Sequence, residues 1–191
     1  ERAGRVEEAC RLYGLAVEAA PGHAPARMNY GAALEALGRT EDAVGAYEAV
    51  LAADPSNAYA SFNLGRLCFL RGDMQRAADL LTKALTHKPD FPDAYVVLSS
   101  VQEQAGDLEA ALGSLQAALR LRPAYAGALR NLGLLLGRMG RWTESEGALR
   151  RATMAAADDA DAQYWRGNAL VHLGRPQEAA ACYRDALHAR P

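Results

Sequence analysis

The sequence predicts an all-α fold, a solenoid of antiparallel helix pairs. Three observations carry this prediction. Glycine recurs every 34 residues at Gly4, Gly38, Gly72, Gly106, Gly140 and Gly174. Five further series keep the same register, and an internal repeat of this length is the signature of stacked supersecondary units. The composition is that of a helix former, with 42 Ala among 191 residues against 3 Phe and 2 Trp.

Each series has a physical reason. A fresh apolar-periodic run follows each glycine of the Gly4 series, so these glycines read as helix C-caps with a left-handed backbone. The series Pro21, Pro55, Pro89, Pro123, Ala157, Pro191 ends the second helix of each pair, since proline cannot continue one. Small residues recur at Gly31, Gly65, Ser99, Gly133, Gly167 and at Ala9, Ala43, Ala77, Ala111, Ser145, Ala179. They let paired helices approach closely. Tyr13, Tyr47, Leu81, Leu115, Leu149 and Tyr183 are the large residues that fill the space beside them, and Ala16, Val50, Ala84, Ala118, Ala152 and Ala186 complete the set.

The unit is therefore helix A, a glycine turn, helix B and a proline turn. In the second unit helix A spans roughly Pro25 to Leu37 and helix B about Glu41 to Ala53. Pro25 and Pro176 suit a first helical turn, and Asp73 and Asp107 suit N-caps. Ala157 stands where the other units carry proline, so the turn around Ala155–Asp159 is expected to be looser or longer.

Charge and chemistry exclude several classes. A net charge of -2 argues against a nucleic-acid binder, which needs a basic face. No apolar run reaches the ~18 residues of a membrane span. Cys10, Cys68 and Cys182 form no CxxC pair and fall on apolar stripes, so they read as small core hydrophobes rather than a disulfide or zinc set. His23, His87, His172 and His188 have no partner at ligand spacing and read as exposed polar residues. Glu7-Glu8, Glu41-Asp42 and Asp158-Asp159 suit helix N-termini, where the dipole favours carboxylates. No strand precedes a phosphate-binding glycine pattern. Catalytic residues, cofactors and metal sites are therefore not expected, and the chain is read as a non-enzyme.

A 34-residue helix–turn–helix repeat of this pattern resembles the tetratricopeptide repeat family, and the resemblance covers the whole chain. It implies a right-handed superhelix and a single domain over 1–191, with a half repeat at 1–23 and repeats at 24–57, 58–91, 92–125, 126–159 and 160–191. The family's usual Trp at the fourth position is replaced by Arg27, Ser61, Tyr95, Leu129 and Gln163. The chain starts without Met and ends without a polar capping helix. It reads as an excerpt of a longer protein, with ends that allow self-association.

In this family helix A lines the concave face. Projected onto this sequence, the binding positions are Asn29, Tyr59, Phe62, Asn63, Arg66, Phe69, Arg130, Asn131, Arg138, Tyr164, Trp165 and Asn168. Asn29, Asn63 and Asn131 share one repeat position, with Val97 and Trp165 on the other rungs. An amide offers both donor and acceptor, so such a ladder suits the backbone of an extended peptide. It resembles the asparagine ladder of the repeat arm in O-linked N-acetylglucosamine transferases. The same residues also suit bonds to their own helices. Tyr59, Phe62 and Phe69 fit either peptide anchors or packing between repeats. Trp165 is expected to face the groove and Trp142 the core. Arg66, Arg130 and Arg138 suggest a positively biased stretch. The third repeat carries five basic and three acidic residues, the second two and five.

The expected function is a scaffold that binds an extended or helical segment of a partner protein. The substrate-recruiting arm of a larger enzyme, such as a glycosyltransferase, and a self-stacking array are the other readings. Unpaired cysteines suit the cytoplasm. Arg outnumbers Lys by 19 to 2, which points to a GC-rich, bacterial genome.

Overall fold

The computed structural model describes residues 2–189. Eleven helices and no strand are found among them. The chain divides into two compact units, Glu1–Pro89 and Asp90–Pro191. The first holds α1 (Arg2–Ala19), α2 (Ala24–Ala36), α3 (Thr40–Ala53), α4 (Ala58–Leu70) and α5 (Met74–His87). The second holds α6 (Pro92–Gln104), α7 (Leu108–Leu121), α8 (Ala126–Arg138), α9 (Trp142–Ala155), α10 (Ala160–His172) and α11 (Pro176–Ala189).

Three residues link helix A to helix B in every complete pair, and the middle one is glycine. Gly38 has φ 71° and Gly106 φ 84°, values that a side chain would strain. The left-handed step lets Arg39 N–H reach back to the Leu34 carbonyl at 2.9 Å, the Schellman closure. The same bond recurs from Asp73 to Cys68, Asp107 to Gln102, Arg141 to Leu136 and Arg175 to Leu170. Gly4 departs from its series. It lies inside α1 and is not among the glycines with a left-handed backbone.

The helix starts follow the side chains that flank them. Asp73 and Asp107 accept the N–H groups of Arg76 and Ala110. Where arginine precedes helix B, an acidic residue of the first turn bonds back to it, as Asp42 does to Arg39 and Glu144 to Arg141. The expected lengthening at Ala155–Asp159 does not occur. Residues 156–159 link α9 to α10 just as 54–57 link α3 to α4. Asp159 caps α10, its carboxylate accepting from Ala162 N–H as the Asn57 side chain accepts from Ala60 N–H at the start of α4. Pro191, last of the proline series, lies outside the described residues.

The core is built from small–large contacts. A Cβ added at Gly31 would lie 2.6 Å from the Tyr47 ring, and one at Gly167 2.5 Å from the Tyr183 ring. Gly133 is as tightly covered by Leu149, and Gly65 lies less tightly under Leu81, at 3.0 Å. Ser99 takes the glycine position beside Leu115 and returns its hydroxyl hydrogen to the Val96 carbonyl. Ser145 donates to the Gly133 carbonyl at 2.7 Å, which ties α9 to α8. Tyr47, Leu81, Leu115 and Leu149 are all essentially inaccessible to solvent. In the second unit Leu112, Leu115, Leu135 and Leu136 join through Ala111, Ala118, Ala128 and Ala148 into one core. Cys10, Cys68 and Cys182 are buried free thiols, and desolvation raises the pKa of the last two.

Polar contacts within single repeats add to this packing. The Tyr125 hydroxyl donates to Asp93 at 2.6 Å while Arg122 lies over its ring. Burial, then the Asp93 bond and charge, push the Tyr125 pKa from 10.0 to about 12. Burial likewise raises that of Tyr47, assisted by its donation to Glu35.

Two predictions follow from this packing. Gly133→Ala should destabilise by about 1–2 kcal/mol, the overpacking cost less the helix-propensity gain. Gly147→Ala in α9 meets open space and should stabilise by about 0.5–1 kcal/mol. Chemical denaturation reads both, and shifts of the same sign would refute the close-packing argument. The raised tyrosine pKa values favour the protonated form in the folded state. Their stabilisation is complete below pH 10 and should fall as pH rises through about 12. Denaturation midpoints across that span should drop less in Tyr47→Phe/Tyr125→Phe than in the parent.

Candidate functional site

Helix A carries the expected binding residues, and each unit places its own share. In the first unit α2 and α4 flank an open hollow of about 360 Å³. Met28, Asn29, Tyr59 and Asn63 line it. Asn29 is exposed and also lines a second hollow of about 560 Å³ against α1. Asn63 is half-buried. Tyr59 is 54% exposed with Lys88 over its ring, while Phe62 and Phe69 are half-buried.

The arginines are engaged with carboxylates. Arg66 bonds to Glu35, whose other oxygen accepts the Tyr47 hydroxyl at 2.7 Å. Arg71 pairs with Glu41, and Arg76 with Glu48. Three arginines of the basic third repeat thus meet three glutamates of the acidic second repeat. The charge imbalance between these repeats is used in joining them. Arg130 pairs with Asp159 at 2.7 Å, and Arg138 with Glu103 at 2.5 Å. The positively biased stretch expected from Arg66, Arg130 and Arg138 is therefore carried by neutralised pairs.

The second unit holds a more enclosed cavity of about 530 Å³ among α6, α8, α9, α10 and α11. Leu134, Trp142, Trp165, Asn168, His172 and Tyr183 form much of its wall. Trp165 is 42% exposed and meets Tyr164 edge-on. The Tyr183 hydroxyl donates to Asn168 Oδ1 at 2.7 Å, which leaves the amide with its donor NH₂. Asn131 is half-buried on α8 and does not line this cavity.

Sequence reasoning missed Trp142. Its expected place was the core. It is half-buried, with its ring stacked on exposed His172 at 3.7 Å and 4°. The signal was Gly137: a Cβ there would lie 3.1 Å from the Trp142 ring, so glycine makes room for it. Among the described residues no three His, Cys, Asp or Glu side chains are grouped to hold a metal ion. No described helix is long and apolar enough to cross a membrane.

Comparison with known proteins agrees with this architecture. Sequence models of the tetratricopeptide repeat match residues 33–94 and 130–191, and 2–62. A further TPR repeat model matches 100–140. Among curated proteins none matches the sequence. Among solved structures, MamA is similar at 28% identity and a TM-score of 0.75, over 83% of this chain and 93% of that one. YrrB, described as a TPR protein with an unusual peptide-binding site, is similar at 23% identity and a TM-score of 0.73, over 94% and 92%. A chain of the APC/C hetero-tetramer Cut9-Hcn1 reaches a TM-score of 0.86 at 19% identity, covering 98% of this chain and 37% of its own. The last two likenesses establish the fold alone. With helix pairs in register along its length and repeat models matching most of it, the chain belongs to the tetratricopeptide repeat family.

Proposed function

We propose that the protein is a non-catalytic scaffold that holds a segment of a partner protein on its helix A faces. The observation that carries this reading is the hollow between α2 and α4, where Asn29 and Asn63 stand beside Met28 and Tyr59. Two amides with donors and acceptors suit a peptide backbone, and Met28 and Tyr59 suit its side chains. Asn63 is half-buried, so less side-chain freedom is left to lose on binding. Asn131 is the corresponding residue of the fifth repeat. YrrB, a protein of similar fold, is described as having a peptide-binding site, and this supports the same class of ligand.

The charged pairs shape what is expected of affinity. Arg66, Arg130 and Arg138 each keep a carboxylate partner. A bound acidic peptide would have to compete with these carboxylates, so its gain is small and moderate salt should weaken binding only slightly.

The test is affinity capture from a lysate of the source, with the parent beside Asn29→Ala/Asn63→Ala/Asn131→Ala. Partners should be lost in the triple variant while its helical circular dichroism is unchanged. Partners held equally by both would remove the amides from recognition and move the site to another surface.

A further inference from the structure

The repeat register allows one place in the second unit to be compared with its counterpart in the first. Glu35, Tyr47 and Arg66 correspond to Gly137, Leu149 and Asn168, each 102 residues later. In the first unit these three side chains form one bonded cluster, in which Arg66 and Tyr47 both bind the Glu35 carboxylate. The protein fills that space with its own polar atoms. In the second unit all three positions carry smaller residues, and the 530 Å³ cavity opens there. That volume lies in the range of about 300–1,000 Å³ typical of ligand pockets.

The walls change in the opposite sense. Thr40 and Asn63 correspond to Trp142 and Trp165. Trp142 is held flat by its stack on His172, and Trp165 is braced edge-on by Tyr164. Tyr183, tilted against Tyr164 and bonded to Asn168, completes an aromatic lining. The charged groups at the cavity are Glu103 and Arg138, already bonded to each other, and the His172 ring beside them is stacked on Trp142. A charged guest would have to compete with the Glu103–Arg138 pair, whereas a neutral one would leave it intact.

We propose that this cavity receives an aromatic side chain, Phe or Tyr, from the bound partner segment. Flat faces at Trp142 and Trp165 favour a planar guest over an aliphatic one, by about 0.5–1.5 kcal/mol beyond area burial, or up to about tenfold in affinity. The Asn168 NH₂ is the donor for a carbonyl of the segment that carries the ring. The assignment rests on the reading that a partner segment binds the helix A faces, and it names the residue that reads the sequence of that segment.

The two tryptophans of the chain both line the cavity, so their indole N–H signals in an ¹⁵N-labelled protein report on it alone. The probes are blocked, glycine-flanked pentapeptides with Phe, Tyr, Leu, Lys or Asp at the centre. Phe and Tyr peptides should move both signals saturably, with the other three about tenfold weaker. Gly137→Glu/Asn168→Arg rebuilds the pair seen in the first unit and should abolish the response. Should that variant fail to fold, Trp165→Ala, followed by the Trp142 signal, should bind Phe about tenfold more weakly. Silent indole signals, Leu matching Phe, or full binding by Trp165→Ala would each overturn the assignment. A partner lost in the asparagine variant but kept by a folded Gly137→Glu/Asn168→Arg protein would overturn it while leaving the scaffold function standing.

Discussion

The contact between a glycine of helix A and a large residue of helix B is the constraint on which the rest depends. Gly31 beneath Tyr47, Gly65 beneath Leu81, Gly133 beneath Leu149 and Gly167 beneath Tyr183 set how closely each pair packs. With no side chain at that point, the ring or branch of the partner lies close against the helix; Tyr47, Leu81 and Leu149 are wholly shielded from water and Tyr183 is half-buried. The left-handed glycine turn then has only three residues in which to reverse the chain, and it does so with the same bond each time. Stability in such an array is a sum of unit and neighbour terms. A fault at one small–large contact is therefore felt locally, and the protein repeats the device instead of building one large core.

The fold was legible in the sequence because its causes are local and periodic. Glycine at Gly38 and Gly106, proline two residues beyond a helix end, and aspartate at Asp73 all act through their own few neighbours. Where position in the repeat was right but context differed, the reading failed. Gly4 occupies the cap position yet is helical, inside α1. Position 157 carries Ala in place of proline, yet the turn keeps its length, with the same N-cap bond at Asp159 as at Asn57.

The candidate site was less legible, for a different physical reason. Its properties come from pairs of residues about one period apart, not from any residue alone. Counting charges within one repeat made the third repeat look basic. The structure spends Arg66, Arg71 and Arg76 on Glu35, Glu41 and Glu48 of the repeat before it. Trp142 likewise looked like core until Gly137 and His172 were placed around it. A sequence comparison across periods, asking which positions shrink together, would have shown the cavity: Glu35 to Gly137, Tyr47 to Leu149, Arg66 to Asn168.

That comparison also indicates how a repeat protein acquires specificity without disturbing its frame. The positions that set the spacing of helices keep their character, so Gly31 and Gly133 are both glycine and both are covered by a large residue. The positions one turn away are free to trade a self-satisfied ion pair for a lined space. Filling such a space with Glu35 and Arg66 satisfies it with the protein's own polar atoms. Emptying it beside Trp142 and Trp165 leaves a lined cavity that, on the proposal made above, discriminates by shape.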